Sequence, residues 1–216
     1  MNNNLTELVM ILDRSGSMQG LEKDTIGGYN AMLEKQKDGV GDVFVTTILF
    51  DDRTEMIHDR VDIREIRPIT EKEYYVRGCT ALLDAVGDAI KHIEGIHKYT
   101  REEDKPGKTI FVITTDGYEN ASRNYSYGDV KRMIEQQKEK NNWEFLFLGA
   151  NIDAVEVAGR VGIKPDKAAN FICDPMGTTL NYDVLSEAVC EVRSNGVLKG
   201  AGWKKRIDSD YKARKR

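Results

Sequence analysis

Apolar residues in this chain fall into two patterns. Near-continuous runs occupy 8–12, 110–115 and 143–148, whereas elsewhere apolar positions recur every three or four residues. Unbroken runs of this length read as strands buried on both faces, and the three-to-four spacing reads as amphipathic helix. Strands are predicted over 6–12, 42–50, 54–61, 109–115, 143–148 and 168–173. Helices are predicted over 21–37, from about 81, and over 126–141, 153–162 and 178–193. The second helix would bury Leu83, Val86, Ile90, Ile93 and His97, and the last would bury Leu180, Val184, Leu185, Ala188 and Val192. Gly27-Gly28 inside the first helix predicts close packing or a bend. The short turn Asp51-Asp52-Arg53 joins the second and third strands as a hairpin, and it reads as solvated. The third strand is then an antiparallel edge.

Alternating strands and helices define the fold class: a doubly wound α/β domain with a mostly parallel central sheet. Helices cover both faces, and one edge strand is antiparallel. Such sheets bind ligands outside the carboxyl ends of their strands, at the switch point in strand order. Two acids stand at such ends. Asp13 follows the first run, and Asp116 follows the run at 110–115.

The stretch Asp13-Arg14-Ser15-Gly16-Ser17-Met18 places a carboxylate and two hydroxyls at alternating positions, aimed at one point. These hard oxygens suit Mg²⁺, Mn²⁺ or Ca²⁺. The same residues also make good helix caps, and the hexapeptide alone does not choose between the two. Thr80 adds a third hydroxyl. Two strand-end acids in one crevice repel each other unless a cation sits between them, so removing Asp13 is expected to relieve that repulsion.

Asp13-x-Ser15-x-Ser17, the run from Gly78 to Ala85 and Thr114-Thr115-Asp116-Gly117 together resemble the von Willebrand factor type A domain, over roughly residues 5–195. In that family these motifs form the metal-ion-dependent adhesion site. The resemblance implies direct coordination by Ser15 and Ser17, and coordination by Thr80 directly or through water. Asp13 and Asp116 would act through waters, and one position would stay open for an acidic group of a partner. Mg²⁺ is the expected cofactor, with Mn²⁺ or Ca²⁺ as alternatives. The expected rim is Met18, Tyr75, Arg77, Cys79, Glu119 and Asn120. Arg14, Gly16 and Met18 resemble the form found in intracellular bacterial members, which often act as adaptors or as partners of AAA+ ATPases.

Composition narrows the setting. The net charge of −4 is uneven: residues 197–216 carry eight Lys/Arg against Asp208 and Asp210, a net +6, leaving −10 on residues 1–196. A domain over 5–196 and a solvated basic tail over 197–216 are expected. No stretch approaches the ~20 apolar residues of a membrane span, and the N-terminus lacks a basic, then apolar, leader. Cys79, Cys173 and Cys190 are too scattered for a metal or disulfide framework, so a cytoplasmic location is expected. Gly107-Lys108-Thr109 lacks the upstream glycine and following helix of a phosphate-binding loop. His92 and His97 cannot chelate together from different faces of a helix. No Ser-His-Asp set, H-E-x-x-H or nucleophile elbow is present.

The function expected is divalent-cation-dependent capture of a protein partner through its Asp or Glu, not catalysis. One rival is a metal-dependent phosphohydrolase or phospho-acceptor using Asp13, although Ser15 stands where its second acid belongs. Another is nucleic-acid binding through the basic tail.

Overall fold

The computed structural model describes residues 1–215. Six strands form one sheet: β1 (Asn2–Asp13), β2 (Asp42–Phe50), β3 (Thr54–Asp62), β4 (Pro106–Thr115), β5 (Glu144–Gly149) and β6 (Ala168–Asn170). Six α-helices accompany them: α1 (Glu22–Lys37), α2 (Leu82–Tyr99), α3 (Tyr127–Asn141), α4 (Ala154–Arg160), α5 (Pro175–Asn195) and α6 (Lys205–Arg214). The strand order is β3-β2-β1-β4-β5-β6. Every pairing is parallel except β2–β3, so β3 is the expected antiparallel edge. Strand order reverses at β1, which lies between β2 and β4. The crevice expected for a ligand therefore opens where β1 and β4 end.

The central run is apolar throughout because alternate side chains enter two different cores. Leu8, Met10 and Leu12 pack with Tyr29, Met32 and Leu33 of α1 and with Val184, Leu185 and Val189 of α5. Val9 and Ile11 pack on the other face with Val86 and Ile90 of α2 and Val130 and Ile134 of α3. Of the two adjacent glycines in α1, Gly28 faces Tyr182 so closely that a Cβ would fall 2.3 Å from the ring, while a Cβ on Gly27 would meet nothing within 4 Å. The pair therefore marks a helix-on-helix contact with α5.

Element ends differ from the periodicity reading where tertiary partners or caps extend them. β1 starts at Asn2 because that residue pairs with Pro106 beyond an irregularity in register. Asp174 caps α5 by accepting from Gly177 N at 2.7 Å, with Pro175 at the first position. Gly196, at φ +78°, closes it.

The expected solvated tail is instead part of the domain. Leu198, Trp203 and Ile207 are buried in the α1/α5 core. Trp203 Nε1 donates to Asp166 O at 2.8 Å, and Lys204 Nζ donates to Pro165 O at 2.9 Å and Ala168 O at 2.5 Å. Arg206 pairs with Asp183 and Glu187, and Arg214 with Asp174 and Asp210. The charge excess is absorbed by carbonyls and by acids of α5 and α6, which is why a basic segment can lie on the protein. Arg216 lies outside the described residues.

Candidate metal centre

Asp13 ends β1 fully buried. Its Oδ1 accepts from Ser15 N at 2.7 Å, and its Oδ2 accepts from Thr115 Oγ1 at 2.6 Å and Asp116 N at 3.3 Å. The side chain therefore ties the end of β1 to the end of β4. Below it, Tyr74 Oη donates to Asp13 O at 2.6 Å from a buried position. Ser15 Oγ shares a hydrogen bond of 3.1 Å with Ser17 Oγ and accepts another of 3.1 Å from Thr80 Oγ1. Gly117 closes over this group: a Cβ there would lie 3.3 Å from Ser17 Oγ and 3.4 Å from Thr80 Oγ1. The backbone leaves free a spot that both hydroxyls face and that any side chain would fill.

The opposite wall is Asp116. Its Oδ2 accepts from Cys173 Sγ at 2.8 Å, and its Oδ1 accepts from Asn151 Nδ2. Burial holds the Asp13 carboxyl above the ordinary carboxylate range, against the lowering effect of its hydrogen bonds. Burial also raises Asp116, and repulsion from Asp13 adds to this. Neither acid is joined by a Lys or Arg among the described residues. All five oxygen-bearing residues read from the motifs, Asp13, Ser15, Ser17, Thr80 and Asp116, thus come together at one strand-end crevice. Three neutral hydroxyls and two carboxylates without a counter-ion are a donor set that fits a hard divalent cation. Among the described residues no group of three or more His, Cys, Asp or Glu could hold a metal.

The loops carrying these groups are clamped by charge. Asp51, expected in a solvated turn, is fully buried. Its Oδ2 accepts from Arg14 Nε at 2.8 Å and Arg77 Nε at 2.7 Å. Arg14 is itself fully buried, and its Nη1 lies 2.7 Å from Glu55 Oε2. Backbone bonds complete the clamp: Arg77 N donates to Arg14 O at 2.9 Å, Gly16 N to Gly78 O at 3.2 Å, and Ala81 N to Asp51 O at 2.8 Å. Gly78 is required, since its φ is +69° and a Cβ would fall 2.5 Å from Asp52 Oδ1.

The rim is narrower than expected. Tyr75, Arg77 and Cys79 do stand at the surface, with the Arg14 and Arg77 guanidiniums 5.2 and 5.3 Å from the Tyr75 ring centre. Met18 does not, because it is buried beneath the loop. Glu119 is spent on the loop itself, accepting from Ala121 N, Ser122 N and Leu83 N at 2.9, 2.7 and 2.9 Å. Asn120 is exposed at the rim while its Oδ1 accepts from Thr80 N at 2.9 Å, so it also positions Thr80. Sequence reasoning gave Asp51 to a solvated turn, assigned no role to Thr115 within its motif, and missed Asn151 and Cys173. The first three stand at or just beyond the ends of β2, β4 and β5, so scanning every strand end for polar residues would have found them. Nothing local marks Cys173.

Fold and site together describe a doubly wound α/β domain with an oxygen-lined crevice at its switch point. No family model matches the sequence, and neither does any curated protein. Solved structures do match in shape. The D319A mutant of the PilB minor pilin from Streptococcus sanguinis aligns with TM-score 0.59 and 10% identity, covering 90% of this chain and 63% of that one. Proximal thread matrix protein 1 from the mussel byssus, with a zinc-occupied MIDAS motif, aligns at TM-score 0.57 and 10% identity, over 86% and 46%. A von Willebrand factor type A structure from Catenulispora acidiphila aligns at 0.55 and 13%, over 86% and 42%. The chain spans less than two thirds of each of these. At such identities the likeness establishes the fold alone.

Proposed function

We propose that this protein is a divalent-cation-dependent binding module that captures an acidic side chain of a protein partner. The observation carrying this reading is the mutual hydrogen bonding of the Ser15, Ser17 and Thr80 hydroxyls at the strand ends where buried Asp13 and Asp116 meet, neither acid having a counter-ion among the described residues. Ser15, Ser17 and Thr80 would hold the cation, and Asp13 and Asp116 would orient its waters from fixed positions. When bound, a divalent cation held largely by neutral hydroxyls retains enough positive charge to attract a carboxylate. Asn151 and Cys173 fix the Asp116 carboxylate, and Thr115 fixes that of Asp13. The zinc-occupied motif of the mussel byssus protein supports divalent-metal binding by this fold, and Mg²⁺ is the cation the hard donor set suits best.

Further proposals follow from the same reading. The protein is proposed to act as a binding module and not as a catalyst, since Ser15 stands where a phosphohydrolase would place its second acid. A reducing, cytoplasmic setting suits its three free thiols, and an AAA+ ATPase is one partner class consistent with an intracellular role. Among the described residues no helix is long and apolar enough to cross a membrane. The basic C-terminal segment is engaged with the domain, which argues against its serving nucleic acid.

Mn²⁺ titration followed by electron paramagnetic resonance tests the metal site. A host-lysate pull-down with wild type and Ser15→Ala, each with and without EDTA, tests capture. Mn²⁺ binding abolished by Ser15→Ala, with partners retained only by metal-loaded wild type, is the expected result. Identical partners in every condition would refute the reading, as would metal-dependent turnover of phosphate esters lost in Asp13→Asn.

A further inference from the structure

Beside the metal crevice, on the β2 side, lies a polar cavity of about 670 Å³ lined by Asp52, Arg53, Cys79, Asp84, Asn120 and Arg123 among others. It adjoins the crevice through two of these residues. Cys79 precedes Thr80, and Asn120 accepts from Thr80 N at 2.9 Å. Arg53 and Arg123 enter it from different loops. Both are exposed, and among the described residues neither guanidinium makes an ion pair or a hydrogen bond. Other arginines near the crevice are committed: Arg14 and Arg77 to Asp51, and Arg214 to Asp174 and Asp210.

The backbones beneath the two free arginines are nevertheless held. Arg53 N donates to Asp51 Oδ1 at 3.0 Å, and its carbonyl accepts from Asp51 N at 3.0 Å. Arg123 N donates to Asp84 Oδ2 at 2.9 Å. Among the described residues Asp84 forms no ion pair with either arginine: its other oxygen accepts from Asn124 N at 2.9 Å and Tyr125 N at 3.1 Å. It keeps its charge, so the cavity is lined by two arginines and two carboxylates. Asp52 is the one lining carboxylate not spent on loop amides in this way, and it opposes the arginines. A body carrying −10 over residues 1–196 repels acidic segments in general. Beside the crevice, two guanidiniums without an ion pair stand on fixed backbones. They supply forked donors suited to carboxylates.

We propose that this cavity is a second subsite, taking a further carboxylate of the same acidic peptide segment whose first carboxylate is captured at the hydroxyl cluster. The inference rests on the metal-dependent reading above and adds a partner chemistry: a segment with at least two acidic residues. Holding the backbones in advance limits the ordering cost of binding to the two arginine side chains.

The test uses the full chain, ¹⁵N-labelled, in saturating Mg²⁺, titrated by NMR with acetyl-Glu-amide, acetyl-hexaglutamate-amide and decathymidylate. Hexaglutamate should bind more tightly than the single glutamate. The double variant Arg53→Gln/Arg123→Gln should weaken hexaglutamate about two- to thirtyfold, the combined effect of two exposed ion pairs. It should leave acetyl-Glu-amide and Mg²⁺ affinities unchanged. Asp52→Asn should tighten hexaglutamate binding, and the arginine effect should shrink in 0.5 M NaCl. Wild-type hexaglutamate affinity in the double variant, with Mg²⁺-dependent acetyl-Glu-amide binding intact, overturns the subsite and leaves the metal reading standing. No Mg²⁺-dependent binding of either peptide overturns both. Arginine-dependent decathymidylate binding as tight as that of hexaglutamate overturns the assignment to an acidic peptide.

Discussion

Replacing Asp51 with alanine tests whether the crevice depends on its buried clamp. The carboxylate is fully buried between Arg14 and Arg77, at 2.8 and 2.7 Å. Its loss leaves the Arg14 guanidinium, also fully buried, with only the part-exposed Glu55. Breaking a buried pair from one side costs about 3–5 kcal/mol. In a chain of this length that corresponds to roughly 6–20 °C in melting temperature. Removing both sides is cheaper than removing one, so Arg14→Met/Asp51→Leu should be less destabilised than Asp51→Leu alone. The pH dependence has a defined sign. Burial alone would raise the Asp51 carboxyl, but hydrogen bonds led by Arg77 and including Arg14 outweigh it and hold the group below its ordinary value. A depressed carboxyl contributes fully above its unfolded pKa of about 3.9 and loses that contribution as pH falls through the folded value. Urea denaturation of wild type and Asp51→Ala at pH 7 and at pH 3 measures both effects. The gap should be wide at pH 7 and smaller at pH 3. A difference below about 1 kcal/mol at pH 7 would show that the two arginines are satisfied without Asp51, and the clamp argument would fail.

Two adjacent glycines should respond oppositely: Gly28→Ala, forced against the Tyr182 ring, should lose about 1–3 kcal/mol, whereas Gly27→Ala, facing open space, should gain about 0.5–1 kcal/mol by chemical denaturation. Trp203→Ala should cost about 3–5 kcal/mol, and truncation after Asn195 should cost more, because Leu198 and Ile207 leave the same core. A truncated chain melting with the full one would refute the docking of α6. Asp13→Ala in EDTA should lower stability by about 1–3 kcal/mol, since Ser15 N, Thr115 Oγ1 and Asp116 N lose their acceptor. This reverses the expectation from charge repulsion alone, and a higher melting temperature for the variant would restore it.

The sequence by itself determined which segments are strands, which are buried on both faces, and that β3 is an antiparallel edge. It also placed Asp13 and Asp116 at strand ends in an α/β sheet, so the crevice could be located before the sheet was seen. These properties are local, because periodicity and turn chemistry act over a few residues. Tertiary structure alone decided who meets whom. Asp51 becomes a buried clamp rather than a solvated turn because β2 lies beside β1, which brings Arg14 and Arg77 onto it. Cys173 reaches Asp116 although it lies 57 positions further along the chain, and Met18 and Glu119 turn to support where a surface role was expected. The C-terminal segment is the clearest case. Its charge count says solvated, yet Leu198, Trp203 and Ile207 suffice to dock it, because the surface they cover is assembled from α5 and the β6 region only once the sheet has formed.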